Sequence, residues 1–249
     1  MDSVHNSSMV DSHKMDADSP ASLRVGVGDN LGANGRSSRW VELRRPEKHN
    51  CLSLEMLEGL LAAVEQAKGS QLILMGAGRS FCSGLDLKEL AVQGDSRPHL
   101  ERLVKLYQQL LTTELRTVAL VRGYAAGGGV GLAACARTVI AATDFRCVVP
   151  GGSLARWAAV VVPVCKLRTG RGAPEGSEWL GCELEAPEAH RLGLVDQIVS
   201  AGQMDELIEG AKRGDLRLGQ FPAKDQDPRA VAEALSELHG FLADWDGQG

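Results

Sequence analysis

Residues 123–132 form a glycine-rich stretch that limits what this chain can fold into, because five of these ten residues are glycine. An apolar run at 117–121 precedes the stretch, and small apolar residues at 132–136 follow it. This order predicts a strand, a glycine turn and then a buried helix. The first N–H groups of a helix have no partner within it, and glycine has no Cβ to keep a ligand away. The turn therefore suits an anion or a developing oxyanion, although a turn that only lets a helix pack closely on a sheet has the same composition.

The same order of elements occurs once earlier in the chain. An apolar run at 71–75 leads into a glycine-containing loop at 76–89, and a helical pattern follows at 98–112. A repeated order of strand, glycine loop and helix predicts an α/β fold in which a parallel sheet is connected by helical crossovers. In such sheets, ligands bind at the carboxyl ends of the strands.

The segments before this repeat predict a hairpin and a helix. Residues 23–27 and 39–43 alternate between apolar and polar, and the turn signal Asn34-Gly35 lies between them. Ser53 precedes an apolar stripe at helical spacing and is expected to cap that helix. Residues 46–50 are expected to form a loop.

Three regions are expected from composition and periodicity. Residues 1–21 are rich in Ser, Asp, His and Met without periodicity, which predicts a disordered tail. Residues 22–200 form the predicted core domain. Residues 201–249 form a predicted C-terminal helical region, with amphipathic helices at 204–212 and 230–245.

Composition excludes several classes of partner. The net charge is −5, and the sequence has no cluster of basic residues that would bind nucleic acid or an anionic membrane surface. The sequence contains no run of 18 apolar residues, so no membrane span is expected. The first 21 residues lack the apolar core of a secretory signal. The six cysteines are widely spaced and form no CxxC pair, so we expect free thiols, no metal site and a cytoplasmic protein.

Common nucleotide and hydrolase motifs are incomplete. The segment starting at Gly76 would need glycine at 81 to match the dinucleotide-binding fingerprint, but that residue is Phe81, and no P-loop pattern occurs. Residues 151–155 approach the GxSxG elbow of serine hydrolases but end in Ala155. A serine hydrolase therefore stays a minor alternative.

Four segments resemble motifs of the enoyl-CoA hydratase/isomerase, or crotonase, superfamily in the same order along the chain. They are LRRPEKHNCLS at 43–53, SFCSGLDLKE at 80–89, GYAAGGGVGL at 123–132 and EAHRLGLVDQIV at 188–199. These segments are most similar to those of the methylglutaconyl-CoA hydratase-like branch. The resemblance implies the crotonase (ClpP-like) fold, with repeated ββα units and a C-terminal helical region.

The resemblance also implies roles for individual residues. The backbone N–H groups of Leu85 and Gly128 would grip the thioester carbonyl of an acyl-CoA and stabilise an enolate oxyanion, with no cofactor beyond the coenzyme A of the substrate. A homotrimer or a dimer of trimers is expected. Other residues expected to contact the substrate are Ser83, Gly84, Asp86, Gly127, Gly129 and Lys48.

Several charged residues near these segments have simpler alternatives. For Asp86 the alternative is a carboxylate that caps a helix, and for Lys88 it is a solvated lysine. Lys48 and Arg79 are expected to reach the phosphates of coenzyme A, although single surface cations often have no ligand.

Two departures from the family pattern limit the expected activity. Gly131 stands where hydratases of this family usually carry a catalytic glutamate, and residues 145–153, which usually supply the second acid, contain none. Glu175 and Glu178 follow and are expected to be solvated. Three functions remain open: a hydratase or isomerase with an unusual acid and base, an inactive acyl-CoA-binding paralogue, and a thioesterase or decarboxylase.

Overall fold

The computed structural model describes residues 19–28, 38–67, 71–149, 151–170, 181–216, 221 and 223–245. Most of the predicted tail, the Asn34-Gly35 turn and both Glu175 and Glu178 lie outside these ranges.

The first four strands along the chain lie where the sequence patterns predict strands. The strands are β1 Leu23–Gly28, β2 Ser38–Leu43, β3 Gln71–Gly76, β4 Arg116–Val121, β5 Tyr124–Ala126, β6 Thr138–Ala142, β7 Arg146–Val148, β8 Glu183–Glu185 and β9 Gln197–Val199. Six of them form one sheet in the order β1-β2-β3-β4-β6-β9. The β1–β2 pair is antiparallel, which confirms the hairpin, and the other pairs of this sheet are parallel.

Five of the helices lie where the sequence patterns predict them, and the other helices of the described residues were not predicted. They are α1 Leu54–Glu65, α2 Leu87–Gln93, α3 Arg97–Thr112, α4 Gly128–Ala134, α5 Ala155–Ala158, α6 Val162–Thr169, α7 Ala186–Arg191, α8 Ala201–Arg213 and α9 Pro228–Ala243. The Ser53 hydroxyl accepts the N–H of Met56 at 3.2 Å, as expected of a cap on α1. Residues 46–48 form a single 3₁₀ turn within the predicted loop.

Helices cover both faces of the main sheet, so its central strands are buried runs rather than alternating ones. On one face, α1 and α3 pack over strand residues that include Leu72 and Leu74. On the other face, Met204 of α8 packs with Trp40 and Ile73. Helix α8 therefore forms part of the layer that covers this face of the sheet. The α/β class and the C-terminal helices are confirmed.

A second, small sheet was not predicted. It joins β5, β7 and β8, with β5 parallel to β7 and β7 antiparallel to β8. Each of these strands has three residues, too few to show a period in the sequence. Through β5, this sheet includes residues 124–126 at the start of the glycine stretch.

The structure also bears on the cysteines and on the expected lack of a membrane span. None of the six cysteines forms a disulfide, and only Cys182 is exposed. In the described part of the chain, no helix combines the length and the apolar character that a bilayer crossing requires.

Candidate functional site

The two glycine loops meet at one end of the main sheet. One follows β3 and the other follows β4, and these neighbouring strands are parallel. The loops are joined by backbone pairing. Cys82 and Ala125 form a parallel β-bridge, and the Ala126 N–H donates to the Cys82 carbonyl at 2.9 Å. The two loops therefore lie together at the carboxyl ends of β3 and β4, the edge at which the sequence predicts a ligand.

In the first loop, the residues on both sides of Leu85 are fixed by backbone hydrogen bonds. Its neighbours pair with Leu52: the Leu52 N–H donates to the Gly84 carbonyl at 2.7 Å, and the Asp86 N–H donates to the Leu52 carbonyl at 2.9 Å. The N–H of Leu85 has no acceptor among the described residues. Gly84 has φ of +87°, a backbone conformation that glycine adopts without strain.

The second loop presents the start of α4. Gly127 has φ of +46°, and its N–H donates to the Val148 carbonyl of β7 at 2.9 Å. Gly128 is the first residue of α4, and its N–H has no acceptor in the part of the chain that the structure describes. A free donor at this position is expected, because the first N–H groups of a helix have no partner inside it.

The two loops approach so closely that only glycine fits between them. A Cβ on Gly84 would lie 2.7 Å from the Ala126 carbonyl oxygen and 3.1 Å from the Gly128 nitrogen. A Cβ on Gly129 would lie 2.1 Å from the carbonyl oxygen of Cys82. The close packing of the glycines therefore brings the unpaired N–H groups of Leu85 and Gly128 to one place.

A cavity of about 60 Å³ opens at this place. Its walls are mainly apolar, and no side chain among the described lining residues titrates near neutral pH. Both unpaired N–H groups belong to lining residues. The lining consists of Ser83, Gly84, Leu85, Leu87, Leu103, Gly127, Gly128, Leu154, Trp157 and Val160.

Asp86, one of the predicted contact residues, lies outside the cavity lining and caps α2. Its carboxylate accepts the N–H of Glu89 at 3.2 Å and a hydrogen bond from Arg45 Nη2 at 2.8 Å. Burial alone would raise the pKa of Asp86, but the hydrogen bonds from Arg45 and Glu89 outweigh it and lower the pKa to about 2. Asp86 is therefore an anion that braces the loop.

The predicted cations lie at the surface, outside the described cavity lining. Lys48 Nζ lies 3.8 Å from the Asp86 carboxylate, and its side chain is half exposed. Arg79 and Lys88 are exposed. Ser83 and Gly127 do line the cavity, while Gly129 packs against Cys82 behind it.

Gly131 faces a residue that the sequence patterns did not single out. A Cβ on Gly131 would lie 2.3 Å from the hydroxyl oxygen of Tyr107. That hydroxyl is fully buried and donates to the Gly128 carbonyl at 2.7 Å. The signal that could have revealed Tyr107 is its place on the apolar face of α3, one turn after Leu103, because a hydroxyl on a buried face needs a partner.

The segment at 145–153, where the family resemblance would place a second acid, contains no acidic residue. Phe145 is buried, and β7 follows it directly. The nearest acids on the next strand, Glu183 and Glu185, both pair with Arg146 at the surface, at 3.0 and 2.9 Å.

Comparisons with known proteins agree with this geometry. The family model described as enoyl-CoA hydratase/isomerase matches residues 37–213. A candidate enoyl-CoA hydratase of Thermus thermophilus is 32% identical over 173 residues, which cover 66% of this chain and 68% of that protein. The 1,2-epoxyphenylacetyl-CoA isomerase of Escherichia coli is 30% identical over 182 residues, which cover 64% of this chain and 65% of that protein. The chain thus spans about two thirds of the length of these two relatives.

A solved structure supports the same assignment. The crystal structure of an enoyl-CoA hydratase/isomerase from Xanthobacter autotrophicus Py2 superposes with a TM-score of 0.68 at 25% identity and covers 85% of each chain. The matched family model, the fold and the two joined glycine loops lead to one conclusion. This chain belongs to the enoyl-CoA hydratase/isomerase family.

Proposed function

We propose that this protein binds an acyl-CoA thioester and stabilises negative charge on the thioester oxygen with the N–H groups of Leu85 and Gly128. The observation that carries the proposal is the presence of two unpaired backbone donors on the wall of one apolar cavity. Relatives named as hydratases and as an acyl-CoA isomerase support an acyl-CoA as the ligand. The reaction proposed first is of the hydratase or isomerase type, which proceeds through an enolate.

Two preorganised donors are enough to favour enolate formation. As the thioester carbonyl becomes an enolate, its oxygen gains charge, and the two N–H groups without acceptors belong to residues that line the cavity. Fixed donors of this kind are usually the largest single catalytic contribution, and losing one costs about 100- to 1000-fold in rate. The apolar walls strengthen the effect, because charge interactions are screened less there than in water.

Proton transfer is the part of hydratase chemistry that the described cavity does not supply. Adding water to an enoyl thioester needs a base for the water and an acid for the α-carbon, and such groups contribute about 100- to 10,000-fold. Among the described lining residues, none carries a carboxyl, imidazole or amino group, and the one hydroxyl is that of Ser83, which donates to the Lys48 carbonyl at 3.4 Å.

This shortage favours a second candidate, decarboxylation of a malonyl-type thioester. There the bond between the α-carbon and the carboxylate breaks, CO₂ leaves, and the electron pair forms the enolate without a base. Water then protonates the α-carbon. An apolar cavity also favours loss of a carboxylate, because it solvates the anion poorly.

Binding is tested first, with a matched pair of glycine variants. Gly84→Ala places a methyl group 2.7 Å from the Ala126 oxygen and forces the loops apart, whereas Gly94 has a similar φ of +71° and open space around it. We expect calorimetry to show butyryl-CoA bound by the wild type and by Gly94→Ala. In Gly84→Ala we expect affinity to fall by roughly tenfold or more, which corresponds to about 1.4 kcal/mol. Equal affinity in all three proteins would contradict the proposed site.

The reaction is tested with two substrates on the same preparation. Loss of the enoyl absorbance of crotonyl-CoA would support hydration, and release of labelled CO₂ from malonyl-CoA or methylmalonyl-CoA would support decarboxylation. Binding of butyryl-CoA without either reaction would support the inactive paralogue instead.

We also propose a cytoplasmic homotrimer or dimer of trimers, and light scattering of the purified protein would test the assembly.

A further inference from the structure

We infer that Tyr107 is the residue that positions the Gly128 donor, an inference that rests on the proposed function of the Leu85 and Gly128 amides. Tyr107 lies on α3 and is fully buried. Its hydroxyl donates to the carbonyl oxygen of Gly128 at 2.7 Å. Tyr107 is not part of the described cavity lining, so it acts through Gly128 and not on the substrate.

The Gly128 amide needs such support because of its sequence. Gly127, Gly128 and Gly129 follow one another, and glycine permits more backbone conformations than any other residue. On one side of the Gly128 N–H, the Gly127 N–H is bonded to the Val148 carbonyl at 2.9 Å. On the other side, the Gly128 carbonyl is bonded to Tyr107. The Gly127 carbonyl, which shares a peptide unit with the Gly128 N–H, accepts the N–H groups of Val130 and Gly131 at 2.9 and 3.3 Å. Tyr107 adds to these restraints by fixing the peptide unit that follows, so together they limit the rotations that could turn the Gly128 N–H away from the cavity.

Gly131 provides the space for this arrangement. A Cβ at this position would lie 2.3 Å from the hydroxyl oxygen of Tyr107 and 2.6 Å from its Cζ atom. Any side chain at 131 would therefore displace the phenol from Gly128. The family resemblance leads us to expect an acid at position 131, but glycine at this position leaves the space for the hydroxyl of a tyrosine on another helix.

The surroundings of the phenol keep it a neutral donor. Burial raises the pKa of Tyr107 well above the ordinary value, so the hydroxyl keeps its proton at neutral pH. A role limited to filling space would need only the aromatic ring. The hydrogen bond to Gly128 uses the hydroxyl itself, and this difference makes the inference testable.

Tyr107→Phe removes the hydroxyl and keeps the ring, and Tyr124→Phe is the matched control. The chain has two tyrosines, and the side chain of Tyr124 is half-buried outside the cavity lining. The readout is the infrared stretch of butyryl-CoA labelled with ¹³C at the thioester carbonyl, because polarisation by the two amides lowers its frequency on binding. Thermal unfolding confirms that each variant is folded.

We expect the carbonyl of butyryl-CoA to shift to lower frequency on binding to the wild type and to Tyr124→Phe. In Tyr107→Phe we expect the shift to shrink and the affinity to fall by about fivefold, the loss typical of one neutral hydrogen bond. A full shift in Tyr107→Phe would overturn the role of Tyr107. No shift in the wild type would instead overturn the proposed function of the amides.

A second measurement does not depend on the stability of Tyr107→Phe. Growing the Tyr124→Phe protein with 3-fluorotyrosine places a single fluorine label at position 107. We expect the ¹⁹F resonance to move when butyryl-CoA binds and to move less with coenzyme A that lacks an acyl group, because only the thioester carbonyl contacts the Gly128 amide. Identical responses to the two ligands would overturn the inference.

Discussion

Single glycines set the geometry of this site for different physical reasons. Gly84 is required by its positive φ and by the carbonyl of Ala126, while Gly129 is required by the approach of the Cys82 carbonyl. Gly131 is required by a side chain from another helix, the phenol of Tyr107. The sequence predicts a glycine turn with free amides, and the structure contains it. It does not predict why each glycine is needed, because those reasons lie in contacts between residues far apart in the chain.

We predict that Gly131→Ala destabilises the protein. Its methyl group would lie 2.3 Å from the Tyr107 hydroxyl oxygen in a fully packed region. Overpacking of this kind costs about 1–3 kcal/mol, which exceeds the gain of up to about 1 kcal/mol from replacing glycine by alanine within a helix. The free energy of unfolding in urea measures the difference.

Gly240→Ala is the matched control for that measurement. Gly240 also lies within a helix, α9, but apart from its chain neighbours and the adjacent backbone of this helix, no atom of the described residues lies within 4 Å of the place that a Cβ would occupy. We expect this variant to be as stable as the wild type or up to about 1 kcal/mol more stable. Gly131→Ala with the same gain would show that the Tyr107 ring moves aside at no cost.

At the scale of elements, two loops form one unit around Asn50. Its side-chain oxygen accepts the N–H of Arg45 at 2.9 Å, and its amide donates to the carbonyls of Ala77 and Ser80 at 2.9 and 2.7 Å. Asn50 also has a positive φ of 55°, which asparagine tolerates better than most residues. The sequence predicts a loop at 46–50, but it does not predict that this loop supports the other one.

The ion pair between Arg45 and Asp86 joins the same two loops and gives a pH dependence. The pKa of Asp86 is about 2 in the folded protein, against 3.8 for an unperturbed carboxyl. Because the folded state has the lower pKa, the stabilisation is present above about pH 4 and is lost as the pH falls toward 2. Between pH 7 and pH 3, this group alone accounts for about 1 kcal/mol of lost stability.

We therefore predict that Asp86→Asn lowers stability at pH 7 and loses less stability than the wild type between pH 7 and pH 3. Chemical unfolding at the two pH values gives the comparison. Asp205→Asn is the control, because Asp205 pairs with Arg122 at 2.7 Å but has an exposed side chain. Parallel pH profiles for Asp86→Asn and the wild type would contradict the role of this ion pair.

At the scale of the whole molecule, the C-terminal helix reaches back to the site. The Trp245 ring, just after α9, lies 5.1 Å from both the Trp157 and Phe241 rings, and its indole N–H donates to the Ser96 hydroxyl at 3.0 Å. Trp157 in turn lines the cavity. The apolar stripe of α9 predicts a packed helix, but the sequence does not show that its end supports the cavity wall, because this contact joins residues about 90 positions apart.

We predict that Trp157 limits the length of the acyl group that the cavity accepts. The cavity is small, about 60 Å³, and Trp157→Ala would enlarge it without changing the amides of Leu85 or Gly128. Each CH₂ group moved from water into an apolar cavity contributes about 0.8 kcal/mol. We therefore expect the affinity for octanoyl-CoA relative to butyryl-CoA to rise by roughly tenfold or more in the variant.

Calorimetry with the two thioesters measures this ratio, and Phe241→Ala is the control. Phe241 contacts Trp245 but is not among the described lining residues, so its removal loosens the aromatic cluster and leaves the cavity wall in place. We expect the ratio in Phe241→Ala to match the wild type, even where stability falls. An unchanged ratio in Trp157→Ala would mean that another part of the chain sets the acyl length, and an equal rise in both variants would assign the limit to the whole cluster.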